Sequence, residues 1–391
     1  MKPSRFRVFA LLSTVCAIAS AFAQDPAAAP AARPPAGRGA TASPALVSPE
    51  VHPDRRVTFR VAAPKATEVS LTSDWQTGTK QMEKGADGAW SITVGPLAPS
   101  SYIYSFNVDG IAVADPVNPR IKLRARGSGS IVEVPSGGAT PALDEVRAVP
   151  HGKVEINWHK AATLAGETRS FWVYTPPDYS ADPGRRYPVL YLLHGNNDRP
   201  NGWIDVGNLN LLMDNLLAEK KVVPMIIVMP FGHVLPYGQN TQGGRSNNAM
   251  YEDYLIKDVI PHVETNYRVV PERARRAIAG FSMGGGQSMS FFFRHLDVFS
   301  SLAAMAPATG GTFATDNATL LNDAAGTNAK IDLLWLGCGR QDSLHANAQQ
   351  LADTFAAKQI RHTWFSVDGV HNYAFIRGAL PEFLPKLFRK P

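Results

Sequence analysis

The chain has 391 residues, of which 45% are hydrophobic and 18% charged, and its 39 basic and 33 acidic side chains give a net charge of +6. This is the composition of a globular protein with enough material for two domains. The expected loss of Lys2, Arg5 and Arg7 with a cleaved leader leaves +3, which argues against a strongly charged partner such as nucleic acid.

In chain order, the first element reads as a signal peptide over residues 1–23. Basic residues precede the apolar stretch "VFALLSTVCAIASAFA", and Ala21-Phe22-Ala23 has the small-x-small form of a cleavage site. The stretch is short for a bilayer span, so export to the periplasm or medium is expected, with no membrane attachment after cleavage. Of the two cysteines, Cys16 falls in the leader, which leaves Cys338 without an internal disulfide partner. Within "LLWLGCG", Cys338 reads as a buried small hydrophobe rather than a nucleophile.

Residues 24–48 are rich in Ala and Pro and poor in large apolar side chains, so they predict a flexible linker. Over residues 49–137, short alternating runs such as "VTFRVAA", "WSITVGP" and "YIYSFNVDG", divided by Pro, Gly, Asp and Asn, predict a small immunoglobulin-like β-sandwich. A second linker is read over 138–150, and a larger domain over 151–391. It opens on a hairpin around "VEINWHK" and "TRSFWVYT" and continues as alternating strands and helices. "YPVLYLLHG" and "MIIVMP" read as buried strands. "NLNLLMDNLLAEK" places Leu209, Leu212, Met213, Leu216 and Leu217 on one helical face. "MYEDYLIKDVIPHVETNY", "HANAQQLADTFAAK" and a final segment near "LPEFLPKLF" read as further helices. Such alternation predicts an α/β fold with a mainly parallel sheet and ligands at the carboxyl ends of its strands.

The stretch "AIAGFSMGGGQ" carries the chemistry. Gly280-Phe281-Ser282-Met283-Gly284 matches G-x-S-x-G, the nucleophile elbow, in which a strained serine sits between a strand and a helix. The plainer reading is a glycine-rich turn whose serine caps the helix. A serine hydroxyl needs a histidine base, and that base needs a carboxylate to orient it; on this fold they follow the serine in the order acid, then histidine. His371, in the loop "DGVHNYAF" after the strand "HTWFSV", is the expected base; His295 and His362 read as packing or surface residues. Asp342, in "GRQDSLH" after the strand "IDLLWLGCG", is the expected acid, with a helix cap as its plainer reading. Asp368 is the reserve, and Asp332 lies at the wrong end of its strand. The backbone N–H groups of Met283 and of Asn196, the latter after "YLLHG", are the expected oxyanion donors. Trp203 and Tyr237 are read as loop residues over the pocket, with loop anchoring as the alternative. The loop "FGHVLPYGQNTQGGRSNNAM" suits an active-site border. No histidine or cysteine spacing suggests a metal, and "MGGG" lacks the lysine of a phosphate loop, so no cofactor is expected.

Together, "YPVLYLLHG", "NGW", "YEDYLIKDVIPHVETNY", "GFSMGG", the G-x-x-D of Gly339 to Asp342 and "GVHNY" resemble the esterase D and feruloyl or acetylxylan esterase group, carbohydrate esterase family 1 of the α/β-hydrolases, over about residues 150–391. The resemblance implies a secreted, metal-independent serine esterase that works through an acyl-enzyme on plant cell-wall polysaccharide, with Ser282 as nucleophile, His371 as base and Asp342 orienting it. The leader counts against the cytosolic S-formylglutathione hydrolase members of that group. "VTFRVAAPKATEVSLTSDW", "GAWSITVGPLAPSSYIYSFNVDG" and "VADPVNP" resemble an early-set carbohydrate-binding domain of family 48, in which Trp75 and Trp90 fall at packing positions. The alternatives are an acyltransferase or other serine hydrolase using the same three residues, and a non-catalytic carbohydrate-binding protein. Oligomeric state and the acyl group are not read from the sequence.

Overall fold

Short alternating runs between residues 50 and 134 fold as two antiparallel sheets. One pairs Val57–Ala62 with Ala89–Val94, in the register Val57 to Val94 and Val61 to Trp90. The other is built around Ser100–Val108, flanked by Val69–Ser73 and Ser128–Val134. Their inward side chains, including Phe59, Val61, Leu71, Tyr104, Phe106 and Val132, form one core. Trp90 is part of that core, and Trp75 stacks on Phe59 at 5.8 Å, so both tryptophans pack where their sequence pattern puts them.

The computed structural model describes residues 46–389. The leader, and the linker as far as residue 45, lie outside the described residues. The chain is already tied down at Ser48, which is buried, donates to Asp115 Oδ2 at 2.6 Å and accepts from the Arg60 amide. The described residues belong to one compact unit. The segment read as a second linker is laced to its surroundings: Asp144 accepts from Arg377, Glu145 accepts from Ser136, and the carbonyls of Leu143 and Glu145 accept from Asn215.

The main sheet of the α/β part has eight strands: β1 (Lys153–Ala161), β2 (Glu167–Thr175), β3 (Val189–Leu193), β4 (Ile226–Pro230), β5 (Arg276–Phe281), β6 (Ser301–Met305), β7 (Leu333–Gly339) and β8 (Thr363–Val367). Their spatial order is β1-β2-β4-β3-β5-β6-β7-β8; β1, β2 and β4 pair antiparallel and every other neighbouring pair is parallel. β3 shows why its sequence is continuously apolar. Val189, Tyr191 and Leu193 enter the core on one face, while Leu190 and Leu192 enter the core on the other. The helices that matter for the site are α1 (Leu209–Ala218), α2 (Asn247–Tyr254), α3 (Met283–Arg294), α4 (His345–Ala357) and α5 (Tyr373–Phe383).

Two elements differ from the sequence reading. The long helix expected over residues 250–267 is broken by a π-helical turn at Leu255–Val259. The last helix starts at Tyr373, well before "LPEFLPKLF", because Asn372 caps it by accepting from the Phe375 amide.

One buried carboxyl makes the all-β region sensitive to pH. Asp74 accepts from the Ile103 amide through Oδ1, while Oδ2 has no partner among the described residues, and burial pushes its carboxyl up to about 7. A folded-state value above the unfolded one means stability that is present at acid pH and lost as pH rises through 7. The expected loss between pH 5 and pH 8 is on the order of 2 kcal/mol from this group. Asp74→Asn keeps the acceptor for Ile103 and should remove that contribution; urea unfolding of both proteins at pH 5 and pH 8 checks it.

Candidate active site

The carboxyl ends of β3, β5, β7 and β8 bring four loops together, and the elbow stands in the middle. Ser282 has φ 57° and ψ −117°, a left-handed conformation that a non-glycine residue adopts only when its surroundings enforce it. Here the Ser282 amide donates to Met305 O at 2.9 Å, and the Ser282 carbonyl accepts from Gly286 and Ala308, each at 2.9 Å. A Cβ at Gly284 would overlap the Leu193 carbonyl, and one at Gly280 the Gly284 carbonyl, so glycine lets α3 pass close to β3 and β5. Ser282 thus stands at the amino end of α3 but makes no side-chain cap, which separates it from the plainer reading of a capping serine.

His371 Nδ1 lies 2.6 Å from Asp342 Oδ2. A carboxylate only accepts, so Nδ1 carries the proton and Nε2 is left with a free lone pair. Asp342 Oδ1 accepts from the Leu344 amide at 2.8 Å; the carboxylate therefore has a loop partner as well as the imidazole, and α4 begins beyond it at His345. Asp342 is buried and His371 is about one-third exposed. The His371 ring packs on Phe281, with centroids 4.4 Å apart. Asp368 instead pairs at the surface with Arg340.

Ser282, His371, Met283 and Asn196 line one cavity of about 1120 Å³. Among the described residues, neither the Met283 nor the Asn196 amide has an acceptor. The Asn196 amide is aimed by its own peptide. Gly232 N–H donates to His194 Nε2 at 2.9 Å, so His194 Nδ1 carries the proton and donates to Gly195 O at 2.8 Å. The Asp198 amide donates to the same carbonyl at 3.2 Å. A trans peptide points its N–H opposite to its C=O, so fixing the Gly195 carbonyl directs the Asn196 N–H away from it. Burial pulls the His194 imidazole down to about 4, which keeps it neutral in this role.

The Esterase family model matches residues 162–387, more than half of the chain. The chain belongs to the Esterase family. The endo-1,4-beta-xylanase/feruloyl esterase of Xylanibacter ruminicola is 27% identical over 353 residues, which cover 87% of this chain and 46% of that relative. The chain thus spans about half of that protein's length. A solved ferulic acid esterase superposes with a TM-score of 0.54 at 26% identity, over 61% of this chain and 99% of the other. The enterobactin esterase of Shigella flexneri superposes with a TM-score of 0.63 over 85% of this chain and 93% of its own, at 17% identity, a likeness of fold alone.

The cavity of this Esterase-family chain is bordered by the loop after β4, as its composition suggests, and Tyr237 lines it edge-on to His233. Trp203 does not reach it. The ring is 1% exposed and packs in the core with Val206, Leu209 and Leu212, edge-on to Tyr373. The short helix Gly202–Asp205 turns the side chain inward, so the pocket reading of Trp203 gives way to the anchoring one. Polar side chains dominate the remaining wall, among them Asn240, Asn248, Gln287, Thr309 and Asp316. The sequence reading missed the role of His194, which sits in the quoted "YLLHG"; His233, which also lines the cavity, has its Nε2 buried without a partner among the described residues. Among the described residues no group of three or more His, Cys, Asp or Glu could hold a metal, and no helix is long and apolar enough to cross a membrane. Cys338 is buried, and burial together with nearby Asp342 pushes its thiol up to about 12, which leaves it inert as a nucleophile.

Proposed function

We propose that the chain is an exported serine carboxylic-ester hydrolase that removes feruloyl or acetyl groups from plant cell-wall polysaccharide of the xylan type. The observation that carries this reading is the strained Ser282 sharing one cavity with His371, itself bonded to Asp342, and with two amides that have no acceptor among the described residues. In the mechanism, Ser282 Oγ attacks the ester carbonyl and His371 Nε2 takes its proton. The oxyanion is held by the Met283 and Asn196 N–H groups. Collapse breaks the bond to the sugar oxygen, which leaves with the proton from His371. Water then attacks the acyl-enzyme, with His371 as base again, and free acid and Ser282 are restored. Asp342 holds the Nδ1–H tautomer and stabilises the imidazolium.

The names of the relatives support the choice of acyl group and polymer. A wide cavity with many polar side chains in its wall and the aromatic rings of Tyr237 and Phe313 suits an acyl group carried on a sugar. Release of ferulate from methyl ferulate and of acetate from acetylated xylan by the purified chain tests the reading, with Ser282→Ala as control. Acid release above that control is expected from one or both substrates. Release from neither, or acyl transfer to a sugar faster than to water, contradicts the hydrolase reading.

A further inference from the structure

The loops that carry the candidate oxyanion amide and the histidine are both held from outside the α/β part. Lys122, on the short strand Ile121–Leu123 of the all-β region, reaches Asp198 with its ammonium group, and its side chain is 2% exposed. Asp198 closes the turn from Gly195 that contains Asn196, and its other oxygen accepts from Tyr373 OH at 2.6 Å. Tyr373 stands two residues after His371. The Lys122 ammonium also lies 5.4 Å from the centre of the Tyr373 ring.

Two further ties run in parallel. The Arg126 amide donates to Asn197 Oδ1 at 2.8 Å and the Ala125 amide to Asn197 O at 3.3 Å, which fixes the residue next to Asn196. Asn372, next to His371, donates through Nδ2 to Asp74 O at 3.0 Å. In each tie one partner, Arg126, Ala125 or Asp74, belongs to the all-β region. The opposite wall of the turn is set by His194 within the α/β part, so the turn is clamped from both sides.

We propose that the all-β region is a working part of the hydrolytic site, with Lys122 as a positioning residue that sets the Asn196 amide against the His371 loop through Asp198 and Tyr373. This rests on the reading of Ser282, His371 and Asn196 given above. A buried lysine is costly unless paired, and here it links the two loops that must keep register during acyl transfer. A group that shifts the oxyanion donor and the base by a fraction of an ångström changes the transition state more than substrate binding.

The test uses the full chain with p-nitrophenyl acetate as probe, and counts competent sites by stoichiometric labelling with a fluorophosphonate. Lys122→Met keeps most of the buried stem and leaves Asp198 bonded to Tyr373 OH and the Arg199 amide. kcat per labelled site is expected to fall roughly 10- to 100-fold with KM within about 2-fold. Asn197→Gly tolerates the φ of 55° at this position and removes the acceptor for Arg126; a fall of roughly 3- to 10-fold in kcat is expected. Loss of folded protein alone lowers the number of labelled sites and leaves kcat per site unchanged. An unchanged kcat per labelled site in both variants overturns the proposal, and Asn197→Gly decides alone if Lys122→Met yields no folded protein. Full activity or labelling in Ser282→Ala would instead sink the underlying reading of the site.

Discussion

Ser282→Ala should lower kcat for ester hydrolysis by about 10⁶-fold while leaving the fold intact. The size follows from the chemistry. Without Oγ no acyl-enzyme forms, and the remaining rate comes from water attacking an ester held near the Met283 and Asn196 amides. The fold should survive because the elbow is enforced by backbone bonds, donated to Met305 and accepted from Gly286 and Ala308, rather than by the serine side chain. Alanine tolerates φ 57° no worse than serine does. The check is steady-state turnover on p-nitrophenyl acetate beside thermal unfolding of both proteins. Turnover within 10-fold of the parent would remove Ser282 from the mechanism.

Asp342→Asn should lower kcat by about 10⁴-fold with little change in KM. The amide is nearly isosteric, so its carbonyl can still accept from Leu344 and the loop should hold. Its NH₂ then faces His371 Nδ1 and favours the tautomer with the proton on Nε2, which cannot accept the serine proton. Because Asp342 is buried, no water is at hand to replace the carboxylate. The same rate assay with competent sites counted separates a lost base from lost protein. A fall below 10-fold would point to another orienting group, and Asp368 is unsuited to that part because it is exposed and paired with Arg340.

How much of this was legible in the sequence depends on how local each signal is. The elbow is encoded in five consecutive residues, Gly280 to Gly284; Gly280 is required by a contact inside the strand-turn-helix unit and Gly284 by the neighbouring strand β3. Asp342 and His371 could be picked out as candidates because each lies in a loop after a strand, and the parallel order of β5 to β8 brings such strand ends together. Trp203 was misread for the opposite reason. Its place in a loop after β3 says nothing about which way a four-residue helix turns the ring, and burial against α1 decided it. The early start of α5 rests on one capping side chain, Asn372.

The ties from the all-β region were the least legible. Asp74 and Asn372 are 298 positions apart, and the Lys122 to Asp198 pair joins two elements that read as separate domains. No periodicity or motif carries such a pairing. A lysine in a short strand reads as surface, and only the packed structure shows it buried between two loops.

Ester cleavage is expected to pass through a covalent bond to Ser282. Quenching the full chain in acid during turnover of methyl ferulate, then measuring the masses of its peptides, tests this most directly. One feruloyl group is expected on the peptide that carries Ser282, and none on the corresponding peptide of Ser282→Ala. A feruloyl group on another residue, or steady turnover with Ser282 unmodified after a quench fast enough to catch the burst, would contradict it.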